Sequence, residues 1–152
     1  MKKDIEIPPV EDVLIAVVKE EEVPEEGAWN VYIVNLKDTP LRNLLVTSTG
    51  YGEINGEPRK TSTLRHFFEE LEAGDFARIE PIMDDTFGLN NEYWISFQMN
   101  DKMYDKQYVF LPETIQEKNC TIVPILKKKG VMIKWSFKIA CQSKYCLRKI
   151  AY

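Results

Sequence analysis

The run from Asn91 to Leu111 constrains the chain more than any other. "NEYWISFQM" (91–99) and "KMYDKQYVFL" (102–111) both alternate, and only Asn100-Asp101 separates them. Two residues that tolerate positive φ between two period-two runs specify a tight antiparallel hairpin. Tyr93, Ile95 and Phe97 line one face of the first run, and Tyr104, Tyr108 and Phe110 line one face of the second. Aromatic pairs across such strands contribute roughly 0.2–1 kcal/mol each. An aromatic hairpin of this length has to bury one face against something else.

The rest of the chain supplies the partners. "DVLIAVVKE" (12–20) is a β-branched apolar run, and "WNVYIVNL" (29–36) alternates Trp29, Val31, Ile33 against Asn30, Tyr32, Val34. The charged, proline-bearing "EEEVPEEG" (20–27) reads as an exposed loop between them. "KDTP" (37–40) turns into the strand "RNLLVTST" (42–49), and "GYGEINGEP" (50–58) contains Asn55-Gly56, a hairpin turn signal. "DFARIEPI" (75–82) sets Phe76, Arg78 and Glu80 against Ala77 and Ile79; "CTIVPIL" (120–126) is a short strand that Pro124 confines to an edge. Seven to eight strands separated by turn signals predict an all-β, immunoglobulin-like antiparallel β-sandwich. The 152 residues suit one domain, placed over residues 1–134, with a basic C-terminal extension over 135–152.

One stretch fits two patterns. In "TSTLRHFFEEL" (61–71), Leu64, Phe67, Phe68 and Leu71 stand at helical spacing, followed by Ala73-Gly74 as a stop. Read as a strand, Leu64, His66 and Phe68 share a face. We read a strand through about residue 68 with one helical turn after it; the alternative is a short helix near 64–72 connecting two strands, the exception to the all-β pattern.

Several chemistries are excluded by their own requirements. Gly50, Gly52 and Gly56 are followed by Glu57-Pro58-Arg59 before Lys60-Thr61, so the glycine–lysine adjacency of a phosphate loop is missing, as is GxGxxG spacing. His66 is the only histidine. It could act as a base toward a serine or cysteine in a small hydrolase, but no nucleophile-elbow sequence accompanies it, so its reading is structural. Asp84 and Asp85 do not begin a calcium loop. Cys120, Cys141 and Cys146 are odd in number, and "CQSKYC" lacks a second pair of ligands for a tetrahedral metal, so they read as reduced thiols. No catalytic residue, metal or cofactor is implied. "MKKDIEIPPVEDV" has no apolar run behind its lysines, and no segment nears the ~18 apolar residues of a membrane-spanning helix. The expected address is the cytoplasm.

Charge is unevenly spread. Residues 118–152 carry nine Lys and Arg and no acid, whereas residues 1–117 carry a net −13. Lys127, Lys128, Lys129, Lys134, Lys138, Arg148 and Lys149 are the candidate nucleic-acid contacts, with Trp135, Phe137 and Tyr145 available to stack on bases. The same segment could instead lie on its own acidic body, which would weaken long-range attraction to nucleic acid. "VMIKWSFKIA" (131–140) alternates, as a half-buried strand or appended arm would.

The segments "WNVYIVNLKDTPLRNLLVTSTGYGE", "KTSTLRHFFEELEAGDFARIEPI" and "LNNEYWISF…YDKQYVFLPETI" resemble, in pattern and order, a small bacterial family of about this length. Its members often carry the name phenylalanyl-tRNA synthetase subunit. The likeness runs from about Asp4 to about Lys134, and the segment from Trp135 onward lies outside it. The resemblance implies a tRNA-associated factor whose basic tail contacts RNA. It does not bring a synthetase core: a class II core is far larger, and its arginine–glutamate pair and glycine-rich arginine motif around ATP are missing here. The residues themselves point to a non-enzymatic binding or interaction module with an unidentified protein partner.

Overall fold

The structure is a computed structural model, and it describes residues 10–20 and 29–133. The acidic loop expected over 20–27 falls, from residue 21 on, outside the described residues, as do Lys134 and the extension over 135–152. Among the described residues there are ten strands: β1 (Val13–Lys19), β2 (Trp29–Asn35), β3 (Leu41–Ile54), β4 (Glu57–Lys60), β5 (Leu64–Leu71), β6 (Phe76–Ile82), β7 (Asn90–Met99), β8 (Lys102–Phe110), β9 (Thr121–Ile122) and β10 (Lys129–Ile133). They form two antiparallel sheets. The first has the order β6-β2-β1-β10-β9; the second has β4-β3-β7-β8, with β5 also pairing β3. The fold is therefore an all-β antiparallel sandwich. It exceeds the expected seven to eight strands because β3 runs on to Ile54 and returns as β4, and because β10 adds to the free side of β1, with the expected edge strand β9 beyond it.

The two hairpin signals act as their chemistry requires. Asn55 and Gly56 have φ of 55° and 80°, and Asn100 and Asp101 have 52° and 65°. Two successive residues in the left-handed region give a turn whose twist matches the flanking strands. The aromatic hairpin pairs Tyr93 with Tyr108 and Phe97 with Tyr104. The Phe97 and Tyr104 rings stack at 5.2 Å, and Tyr93 meets Phe110 edge-on at 6.1 Å.

The main core lies between the sheets. Val13, Ile15 and Val17 of β1, Trp29, Val31 and Ile33 of β2, and Val131 and Ile133 of β10 face Leu44, Val46, Tyr93, Ile95, Phe97, Tyr108 and Phe110. The buried Tyr108 hydroxyl donates across the sandwich to the Val13 carbonyl at 2.6 Å. Asn35 is wholly buried at the end of β2. Its amide donates to the carbonyls of Thr39, Leu71 and Glu72, and its own backbone is bonded to Gly74 and Asp75. One side chain thus fixes both the β2–β3 turn and the crossing from β5 in the second sheet to β6 in the first.

The helical turn expected near 64–72 is corrected: Leu64–Leu71 is a single strand, paired with β3 from Leu41 to Ser48. Part of the helical spacing has a strand cause. Asn43 of β3 adopts φ 49°, and the β3–β7 register slips between Arg42 and Leu45. This irregularity switches the inward phase, so that Leu41, Leu44 and Val46 of β3 are all buried. On the paired β5, His66 and Phe68 turn inward, and so does Leu71, three residues further on. Phe68 and Leu71, inward and three apart, supply half of the helical stripe; its other members, Leu64 and Phe67, are exposed.

Candidate functional site

Two places combine chemistry with accessibility: the half-open side of the sandwich around His66, and the outer face of the second sheet. At the first, β6 carries a bulge where its register against β2 shifts between Val31 and Tyr32. Before the shift Ala77 and Ile79 face inward; after it Glu80 and Ile82 do. Glu80, which strict alternation puts with Phe76 and Arg78 on the outer face, is turned into the sandwich instead. Its Oε1 accepts from His66 Nε2 at 2.7 Å and from Ser48 Oγ at 2.9 Å, and its Oε2 accepts from the Tyr93 hydroxyl at 3.3 Å. Burial, with the Glu80 carboxylate beside it, holds the Tyr93 phenol well above its usual range.

So His66 has a carboxylate partner that sequence alone did not assign to it. The signal was present: Ile79 and Ile82 can both reach the core only if the strand slips by one residue between them. The arrangement is nonetheless that of a tie. Ser48 donates to Glu80 and not to the imidazole, so the imidazole does not bridge hydroxyl and carboxylate, as nucleophile activation requires. The carboxylate on β6 gathers β3, β5 and β7, closing this side of the sandwich.

The basic candidates are divided. Lys127, Lys128 and Lys129 lie at the entry to β10, and Lys134, Lys138, Arg148 and Lys149 lie outside the described residues. Lys128 Nζ donates to Glu20 Oε1 at 2.8 Å, and the other Glu20 oxygen accepts from Tyr32 and Asn30. Partial burial pushes the Glu20 carboxyl up, but the hydrogen bonds from Lys128, Tyr32 and Asn30 outweigh it and hold the group below its ordinary value. Here a basic residue of the C-terminal third does lie on the acidic body. Lys127 and Lys129 are exposed. Cys120 is half-buried, with its thiol pushed up chiefly by burial; Cys141 and Cys146 fall outside the described residues. Among the described residues, no three His, Cys, Asp or Glu side chains form a metal-binding group, and no helix is long and apolar enough to cross a membrane.

The outer face of the second sheet presents Leu45 of β3, Phe67 of β5, Trp94 of β7 and Met103 of β8, exposed by 38%, 62%, 44% and 55%. Register sets Phe67 beside Leu45 and Trp94 diagonal to Leu45, while Met103 lies further along the same face, opposite Gln98. Leu45 opposes Phe67 on one side and Ser96 on the other, and Thr47 lies between Arg65 and Trp94. These side chains were visible in the sequence as members of strands, but their shared exposure was not assigned. No protein-family model matches the chain, and no curated protein matches its sequence.

Proposed function

We propose that the protein is a non-enzymatic interaction module on an immunoglobulin-like sandwich, and that its contact surface is the outer face of the second sheet. The observation that carries this reading is the run of exposed large side chains, Leu45, Phe67, Trp94 and Met103, on one sheet face. An immunoglobulin-like reading is supported by strand order: β1, β2 and β6 pair in one sheet while β3, β7 and β8 pair in the other, the grouping of A, B, E against C, F, G. The test is affinity capture from nuclease-treated native lysate with wild-type protein and a Trp94→Asp variant. Partners held by wild type and lost by the variant are expected; an unchanged capture profile rejects the outer face as the contact surface.

A second reading, the tRNA-associated factor that the family resemblance implies, draws support from the nine basic and no acidic residues of 118–152. It calls for RNA affinity that falls steeply with salt and drops when Lys127, Lys129, Lys134, Lys138, Arg148 and Lys149 are changed to Glu in the full chain. Binding that is absent or insensitive to salt rejects it. Truncation is a poor substitute if made after Gly130, since it would delete the buried Val131–Ile133 of β10.

A further inference from the structure

We propose that the free edge of β5 pairs, antiparallel, with β5 of a second copy of this chain, about a two-fold axis through Phe67. The inference rests on reading this side of the molecule as an interaction surface, and it names the partner. Among the described residues β5 pairs only with β3, which leaves it at the margin of its sheet. An edge strand offers a row of backbone donors and acceptors to any chain that can match it, and proteins commonly blunt such edges with proline or by shortness. Here β4 has Pro58, β6 has Pro81, and β9 is two residues long; β8, at the other margin of the second sheet, has no proline but turns Lys106 inward, a charge that also discourages edge pairing. β5 has eight residues and no proline, and its Phe67 is the most exposed large apolar side chain among the described residues.

The charge order on β5 selects its mate. The strand reads Leu-Arg-His-Phe-Phe-Glu-Glu-Leu, basic before the aromatic pair and acidic after it. A two-fold axis normal to the sheet returns each side chain to its own face, so directly opposed residues must share a face. That requirement restricts the symmetric registers to those centred on a residue. Centred on His66, Arg65 opposes Phe67; centred on Phe68, Phe68 opposes its mate and His66 opposes Glu70, but the exposed Phe67 meets Glu69 and Arg65 meets Leu71. Centred on Phe67, Phe67 opposes its own mate and Arg65 opposes Glu69 on both sides of it, all on the outer face. Neither Arg65 nor Glu69 has an ion-pair partner within its own chain among the described residues. Leu45, beside Phe67 on β3, widens the apolar centre. Only the register centred on Phe67 both sets the exposed aromatic against its own mate and pairs Arg65 with Glu69.

Edge pairing over eight residues is a small interface, so the dimer dissociates in roughly the micromolar range. Sedimentation equilibrium of the full-length protein over a concentration series should show a reversible monomer–dimer equilibrium. Phe67→Lys should weaken it by about 100-fold, and Arg65→Glu or Glu69→Arg by about tenfold each. Arg65→Glu combined with Glu69→Arg should recover affinity to within about threefold of wild type. Unfolding midpoints of each variant establish that the monomer is folded. A monomer at every concentration overturns the inference, as does a dimer indifferent to Phe67→Lys or a double reversal that does not recover. The broader reading is separable: a wild-type monomer whose lysate partners are still lost in Trp94→Asp overturns the second copy and leaves the interaction face standing.

Discussion

The two sheets of the sandwich treat their outer faces in opposite ways. On the first, Leu14, Ala16 and Val18 of β1, Tyr32 and Val34 of β2, and Met132 of β10 form a second apolar cluster with Val123, and Leu36, Ile125 and Leu126 pack on it. The segment after β9 folds back to supply that cover, with Val123 bonded to the Lys128 carbonyl and Lys127 bonded to the Val123 carbonyl. β1 is therefore buried on both faces, which explains why its sequence is a continuous apolar run and not an alternating one. On the second sheet, the outward positions of β3, β5 and β7 mix Thr47, Thr49, Arg65, Glu69, Glu92 and Ser96 with exposed Leu45, Phe67 and Trp94. One face belongs to the core of the chain; the other is presented outward.

The contrast is broken most severely by introducing a charge on the covered face. Ala16 is wholly buried between Tyr32 of β2 and Met132 of β10, and Ala16→Asp places an unpaired carboxylate there. We expect a loss of about 3–5 kcal/mol in urea unfolding, enough to leave the chain largely unfolded. A loss below 1 kcal/mol would mean that this face is open to water. The next effect tests how tightly β10 is seated against β1. A Cβ on Gly130 would stand 2.8 Å from the Val17 carbonyl oxygen and 2.9 Å from Val18 Cγ2. Gly130→Ala should therefore cost about 1–3 kcal/mol. Gly88→Ala, whose Cβ would meet only Glu113 Oε1 at 3.7 Å, should lie within about 0.5 kcal/mol of wild type.

How much of this could be read in advance depends on whether strand phase is kept. Where alternation is unbroken, as in β2, β7 and β8, both faces and the aromatic pairs followed from the sequence, because period two leaves no freedom once the turn is placed. Where a bulge intervenes, the phase inverts and the reading fails. Glu80 moved from the outer face to the interior, and two inward residues spaced by three in β5 supplied half of a helical stripe. Bulges depend on cross-strand register, which a single strand's pattern does not contain. The same holds for the outer face: Phe67 and Trp94 are ordinary strand residues until the pairing puts Leu45 and Thr47 between their strands. Residues from Lys134 on, and with them most of the basic candidate set, lie outside the described residues.

The inner face of the second sheet holds one residue that belongs to neither regime. Lys106 on β8 is turned inward opposite Ile95. Its Nζ donates to the Val10 carbonyl at 3.3 Å and stands 4.7 Å from the Tyr108 ring centroid. Burial brings its pKa down to about 8, against the opposing pull of Glu11 and Asp12. The fold thus disfavours the charged form. The cost is fully present below about pH 8 and is relieved as pH rises from 8 toward 10.5, because the unfolded chain still holds the proton there. Wild type should gain on the order of 1–2 kcal/mol over that window relative to Lys106→Met, allowing for solvent screening at the end of the sandwich. Parallel stability profiles for the two proteins would show that the amine is fully hydrated. The comparison is best confined to pH below 10, since Tyr93 and Tyr108 are held well above that value by burial and their own titration then lowers stability.

Apart from the Gly88→Ala control, the smallest expected effect on stability is the most informative about function. Trp94→Asp removes a large aromatic from the outer face, where its cross-strand neighbours are Thr47 and Gln107. A tryptophan that served the monomer would take about 3 kcal/mol or more of stability with it. One that is 44% exposed on a sheet surface, and retained for contact with another molecule, should leave the unfolding free energy within about 0.5–1 kcal/mol of wild type while binding is lost. The two readouts together separate the faces: on the first sheet a carboxylate should destroy folding, and on the second it should destroy only association. If Trp94→Asp instead unfolds the chain as Ala16→Asp does, both outer faces are structural, and the interaction surface must be sought elsewhere on the molecule.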